Sequence, residues 1–328
     1  TQQIYALDCF YMISEYLREK FTQYLGPIYQ FIKGVICSYN PSQDFPINLF
    51  FKCVEIVTQF QYLPDECFQE ISGPLLTLIS QIDFSDSYEH KDAVSKAICS
   101  ILEKHPEVFF PFAGSILTKL NTIATSPLRY DRYDADDDKQ DVNSQDSSVI
   151  KKRFPKTNEV RLYINSSIDS LNEGIKVFKV LLETADAITQ VQGFIEMIIN
   201  IIISNLNQDF IPPKIRYMVN KLIIALYRSS VRNGFMANLL NENGENPGIA
   251  FQIYHSQTQL ISEALIELKT SCDSDDIDHV CDLIDLLTLS LLFLTFPIYR
   301  QNRAGTLSQL PPTMNQSYTQ VITETIQI

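Results

Sequence analysis

The chain has 328 residues, enough for two ordinary domains of about 100–200 residues each or for one elongated array. Apolar residues make up 45% of it, which excludes disorder throughout, and 10 Gly with 15 Pro argue against a turn-rich all-β fold. Its 39 carboxylates outnumber 26 Lys and Arg for a formal net charge of −13, which disfavours nucleic acid and anionic membrane surfaces and suits a basic protein partner.

Helical periodicity begins at once. Ile4, Leu7, Phe10, Tyr11, Ser14, Leu17 and Phe21 mark one face of a first helix. Pro27 then opens a second helix, to Ser38, because proline is well tolerated in a first helical turn. A second pair covers 46–60 and 65–82, with Asn48, Lys52, Glu55 and Gln59 as its wet edge. The third pair, Tyr88 to Ile123, has the clearest pattern. Ala93, Ala97, Ile98, Ile101 and Leu102 oppose Glu89, Lys91, Lys96, Glu103 and Lys104, and Pro106 ends that helix by driving its predecessor out of the α region. Phe109, Phe112, Ile116, Leu117, Leu120 and Ile123 resume the stripe. The chain opens at Thr1 inside a helical pattern, which gives the expectation of a piece of something longer.

The second helices of the pairs superpose at a glycine. Gly26-Pro27-Ile28 aligns with Gly73-Pro74-Leu75 and then with Gly114-Ser115-Ile116, at offsets of 47 and 41 residues. HEAT and armadillo repeats recur every ~40–47 residues, and a lone pair leaves its apolar stripe in water. The expected fold is therefore all-α, a right-handed α–α superhelix of stacked antiparallel helix pairs, with an irregular helical bundle as the alternative.

Two stretches carry a family resemblance. Ala6-Leu7, Met12-Ile13-Ser14-Glu15-Tyr16-Leu17-Arg18-Glu19-Lys20-Phe21 and Tyr24-Leu25-Gly26-Pro27-Ile28 form the first. Lys104-His105-Pro106-Glu107 with Phe110-Pro111-Phe112 forms the second. Together they resemble helical repeats of the importin-β (karyopherin) superfamily over residues 4–123. That likeness implies a nuclear transport receptor that binds protein cargo and Ran-GTP. Other HEAT scaffolds share the same motifs.

Residues 126–158 break the pattern. Asp131, Asp134, Asp136, Asp137, Asp138, Asp141 and Asp146 have only Arg132 and Lys139 among them, and apolar residues are sparse. Such a segment buries too little to offset its ordering entropy, so an acidic, unstructured loop is expected. Some importins carry an acidic loop that contacts Ran or basic cargo. The resemblance thus implies a partner-binding role for Asp131, Asp134, Asp136, Asp137, Asp138 and Asp141, although the importin-β loop joins two helices of one repeat and this one follows a completed pair. A solvated linker is the plainer reading. Lys151, Lys152, Arg153 and Lys156 have the composition of a nuclear localisation signal, or lie back on the acidic run.

Helical signal resumes at Glu159, and residues 159–296 are expected to hold further repeats. Leu162, Ile168, Leu171, Ile175, Phe178 and Leu182 give a stripe to Thr184. Ile188 to Leu206 is apolar nearly all round; its length favours a covered helix over a buried strand. Pro212-Pro213 starts a helix over Lys214–Ser229 with a basic strip of Lys214, Arg216, Lys221 and Arg228. A loop at 241–247, a helix at 249–268, a final apolar helix to Phe296 and a polar tail over 297–328 complete the reading.

Chemistry-bearing patterns are absent from the sequence. The seven cysteines never take CxxC spacing and read as reduced, small core residues of a cytosolic or nuclear protein. Asp273 to Asp285 is rich in carboxylates, yet the sixth and twelfth places of an EF-hand loop begun at Asp273 hold Asp278 and Ile284. No HExxH motif or phosphate-binding glycine loop occurs, and a cysteine–histidine pair brought together in space stays open. The apolar run from Leu286 to Phe296 is too short to cross a membrane. The chain is expected to be a non-enzymatic, cofactor-free, protein-binding scaffold, with no nucleic-acid partner and no membrane insertion. By resemblance it is part of a karyopherin-type receptor of cytoplasm and nucleus. The alternative is a HEAT scaffold or accessory subunit of an assembly unrelated to transport.

Overall fold

The computed structural model describes residues 2–38, 47–59, 63–82, 88–134, 149–154, 157, 159–184 and 194–233. They belong to two compact units, Thr1–Gln190 and Val191–Ile328. In the first unit α1 (Gln2–Leu17) and a 3-10 turn (Arg18–Phe21) lead into α2 (Thr22–Ser38). Then come α3 (Ile47–Gln59), α4 (Asp65–Gln81), α5 (Tyr88–Lys104), the short α6 (Pro106–Phe109), a 3-10 turn (Phe110–Phe112) and α7 (Ala113–Ala124). Strands β1 (Tyr130–Asp134), β2 (Val149–Phe154) and β3 (Glu159–Ile164) precede α8 (Asn165–Thr184).

The helices pack in two rows. One row runs α1, α3, α5, α8; the other runs α2, α4, α7, with α6 also against α4. Each helix meets its counterpart in the next pair, so the apolar stripes are covered by succession, as in a repeat protein. The all-α repeat architecture expected from the sequence is the one observed. Helix α5 shows why it holds: Val94, Ala97, Ile98, Ile101 and Leu102 are wholly buried between α3 and α8. Burying one such leucine, isoleucine or valine contributes roughly 1.5–3 kcal/mol. At the crossing of α7 and α8 the chains approach so closely that a Cβ on Gly174 would lie 3.3 Å from Ile123 Cγ2.

Three details depart from the sequence reading. Helix α2 begins at Thr22, not at Pro27, which lies inside it. Arg18, at φ +51°, breaks α1 early, and the burial of Phe21 and Leu25 pulls the chain back into helix before the proline is reached. Pro27 and Pro74 are both exposed, as are Gln23 and Glu70 four residues before them, so the carbonyls that a proline leaves unbonded have access to water. Phe10, assigned to the apolar face of α1, is 40% exposed.

The third departure is the largest. The acidic loop expected over 126–158 contains strands at both flanks, and the helix expected from Glu159 starts only at Asn165. Strands β1, β2 and β3 form an antiparallel sheet in the order β1-β3-β2, inserted between α7 and α8. Val160, Leu162 and Ile164 alternate as a strand requires, while Leu162 and Ile168 also fit a helical stripe; pairing with two partners decided for the strand.

In the second unit α9 (Ile195–Leu206) packs against α10 (Pro213–Asn233). Ile198, Ile201 and Ile202 meet a core of Ile215, Val219, Leu222 and Ile223, all fully buried, so the isoleucine run is helical as read. The loop at 241–247, the helices expected at 249–268 and up to Phe296, the carboxylate cluster from Asp273 and the tail over 297–328 lie outside the described residues.

Candidate protein-binding surfaces

The row α2, α4, α7 presents a polar surface of small side chains. Gly34, Pro74, Thr77, Gly114, Ser115, Thr118 and Thr122 are exposed or half-buried along it. Long polar side chains tie each helix to the next. The Tyr29 hydroxyl donates to Glu70 Oε2 at 2.5 Å and lies 3.1 Å from the Cys67 carbonyl, while Lys33 pairs with the other oxygen of Glu70. One repeat on, the Lys119 ammonium donates to the carbonyls of Ser80 and Ile82, both at 2.7 Å, where α4 ends and its dipole favours a cation. The row α1, α3, α5 has comparable contacts. Lys52 reaches Asp8 at 2.5 Å and Glu55 at 2.8 Å, and His90 stacks on Phe51 at 3.9 Å.

These contacts set the protonation of the groups involved. The hydrogen bonds from Lys33 and Tyr29 hold Glu70 below the usual glutamate value, and donating to Glu70 holds Lys33 above the usual lysine value. Burial, then the hydrogen bond to Glu70, pushes the Tyr29 hydroxyl well above the ordinary tyrosine value of 10.0. A depressed carboxylate stabilises the fold fully above its unfolded pKa and loses that stabilisation as pH falls through the folded one. A raised tyrosine acts in the opposite sense: its contribution is complete below 10.0 and is lost as pH rises through the folded value. Thermal melts between pH 3 and 7 should therefore show an acid-side loss of stability that is smaller in Glu70→Gln; superimposable acid limbs would mean that the tie contributes nothing. Burial pushes the thiols of Cys53 and Cys99 up to about 12, as inert core residues, whereas Cys9 and Cys37 are exposed rather than embedded.

The sheet holds all the site residues expected from the sequence that the structure describes. Asp131 and Asp134 lie on β1. Lys151, Lys152 and Arg153 lie on β2, exposed, with their backbone paired to β3. Asp136, Asp137, Asp138, Asp141 and Lys156 lie outside the described residues. A group the sequence reading missed sits at the centre. Glu159, 4% exposed, accepts from Arg161 at 3.2 Å and pairs with Arg132 across the sheet. The Arg161 guanidinium lies 4.6 Å from the Tyr130 ring and 4.3 Å from the Phe154 ring. The register explains the cluster, because Arg132 faces Arg161 on β1 and Lys152 faces it on β2. An alternating Glu-x-Arg-x-Tyr over Glu159–Tyr163 was the available signal.

A third surface is apolar. Tyr5, Met12, Ile13 and Tyr16 on α1 are exposed, and Ala6, Leu7, Phe10, Pro27, Ile28 and Phe31 line a groove between α1 and α2. Among the described residues no three His, Cys, Asp or Glu are grouped so as to hold a metal ion, and no helix is long and apolar enough to cross a membrane.

No family model matches the chain, and no curated protein matches it in sequence. Solved structures do. Kap121p bound to Pho4p covers 99% of this chain at 16% identity and a TM-score of 0.58, using 35% of its own length. Kap121p bound to Nup53p gives 16% identity and 0.57, and Kap121p bound to RanGTP gives 16% and 0.53, each over 99% of this chain and 34% of that one. The likeness is one of fold. This chain has the helical-repeat fold of the importin-β-type karyopherin Kap121p, and it spans about a third of the length of those structures.

Proposed function

We propose that this chain is a non-catalytic scaffold of helical repeats that acts as part of a karyopherin-type nuclear transport receptor. The observation that carries the reading is the stacking of helix pairs in two rows together with the superposition on Kap121p over 99% of the chain. Kap121p has been solved with Pho4p, Ste12p, Nup53p and RanGTP, all proteins. By analogy this chain takes basic protein cargo and Ran-GTP and works between cytoplasm and nucleus. Asp131 and Asp134, with Asp136, Asp137, Asp138 and Asp141, supply the acidic contact for cargo. A net charge of −13 supports a basic partner. The basic residues of β2 fit a localisation signal less well, since a signal of that kind is read as a free peptide and Lys151–Arg153 are held along β3.

The decisive measurement is a pull-down with the full-length protein on immobilised Ran loaded with a non-hydrolysable GTP analogue or with GDP. Retention on the GTP form alone is expected, and equal failure on both would remove the transport reading. The apolar face of α1 and α2 favours a second reading, a scaffold subunit whose neighbour covers that face. Co-purification in a stable complex without Ran would support it.

A further inference from the structure

Helix α1 is apolar around most of its circumference. Its charged residues are Asp8 and Glu15, seven residues apart and so on one side, and Asp8 pairs with Lys52 on α3. Tyr5, Cys9, Met12 and Tyr16 recur at intervals of four, three and four residues, the spacing of a seam by which one helix packs on another. That seam stands in water. Tyr5, Met12 and Tyr16 are 66%, 71% and 87% exposed, and Cys9 is exposed as well. Among the described residues, seven of the nine exposed large apolar side chains belong to α1 or α2, a concentration that marks a contact surface.

Beside the seam lies the groove of about 310 Å³ between α1 and α2, in whose lining Gln3 is the one polar residue. One repeat further on, α2 lies against both α3 and α4, so the corresponding groove there holds a helix. The groove between α1 and α2 is therefore shaped for a helix too. Among the described residues the helix with an exposed apolar seam to offer is α1, and a second copy of the chain brings another. Seam and groove adjoin on one face, which makes that face self-complementary, as a two-fold contact requires. Charge favours the same place. Residues 2–38 carry three carboxylates (Asp8, Glu15, Glu19) and three cations (Arg18, Lys20, Lys33), in a chain whose total of −13 makes copies repel elsewhere.

We propose that two copies of this chain dimerise through α1 and α2, the seam of Tyr5, Cys9, Met12 and Tyr16 on each copy lying against the groove of the other. The groove selects a helix, the seam supplies apolar area, and the absence of net charge lets like chains meet. This contact does not depend on Ran, and its failure would leave the transport reading standing.

Sedimentation equilibrium of the full chain over a hundredfold range of concentration tests it. A monomer–dimer equilibrium is expected, at least tenfold weaker in M12E/Y16E, because each copy then sets two carboxylates into an apolar contact. Both positions face water in the single copy, so the variant keeps its fold, which circular dichroism at low concentration checks. The control T118E/T122E adds the same charge at exposed positions of α7 and should dimerise like the parent. Sulfate should strengthen the dimer, as it does apolar contacts; a dimer that sulfate weakens would be held by charge, against the proposal. A monomer throughout, oligomers that grow with concentration instead of stopping at two, or equal association of M12E/Y16E and the parent would each overturn it. So would a native species holding a single copy of the protein in which Cys9 resists alkylation, because something other than a second copy would then cover the face.

Discussion

Replacing Phe109 with alanine is expected to destabilise the first unit by about 3–5 kcal/mol, the range for emptying a buried phenylalanine site. Phe109 has no exposed surface, and the short helix that carries it lies against both α4 and α5. The side chain therefore closes the seam where one row passes to the other. Pro106, the first residue of α6, and Pro111, in the turn after it, restrict the backbone that carries the side chain, so this segment relaxes little into the space. Against a typical total of about 5–15 kcal/mol, such a loss removes roughly a fifth or more of the stability. Chemical denaturation of the full chain, followed by far-UV circular dichroism, reads the effect. Phe110→Ala, at a half-buried position with its ring edge-on to Phe109, is the control and should cost clearly less. Equal small losses in both would mean that the seam is not a packing centre.

Glu159→Gln should cost about 2–3 kcal/mol, concentrated in the sheet. Removing one partner of a buried ion pair costs roughly 3–5 kcal/mol, because the other charge stays behind without compensation. Here the figure is lowered on one side. Arg132 is 65% exposed in its side chain and returns to water, whereas Arg161, at 13%, remains enclosed between two rings. The readout is hydrogen exchange of the β3 amides, expected to accelerate by one to two orders of magnitude in proportion to the lost stability. Combining Glu159→Gln with Arg161→Met separates the pair from the packing: the double variant should recover part of the loss, since an apolar residue replaces the stranded charge. A single variant within 0.5 kcal/mol of the parent chain would show that Glu159 is not needed to hold the two arginines.

The helix pairs were legible because their signal is local. Ala97, Ile98, Ile101 and Leu102 declare a buried face within two turns, and the glycines at 26, 73 and 114 fall in the three helices of one row. The same local signal misled at Pro27, where the burial of Phe21 and Leu25 outweighed a rule about helix starts. It misled again at Glu159–Ile164, whose alternation was absorbed into the longer stripe of α8. Asp131, Asp134 and the cations of β2 were singled out by composition, but the group that organises them, Glu159 with Arg161, has no meaning until strands far apart in the chain are set side by side.

By itself, then, the amino-acid order determined a succession of amphipathic helix pairs and an acidic balance, since periodicity and charge are properties of neighbouring residues. Only the tertiary structure decided that a three-stranded sheet is inserted in the chain between α7 and α8, which still pack on each other, that Arg161 stands between Tyr130 and Phe154, and that Lys151, Lys152 and Arg153 lie together on one strand of that sheet. The physical reason is that a strand satisfies its backbone hydrogen bonds with a partner elsewhere in the chain, so its pairing and its faces are settled by what it meets and not by its own residues.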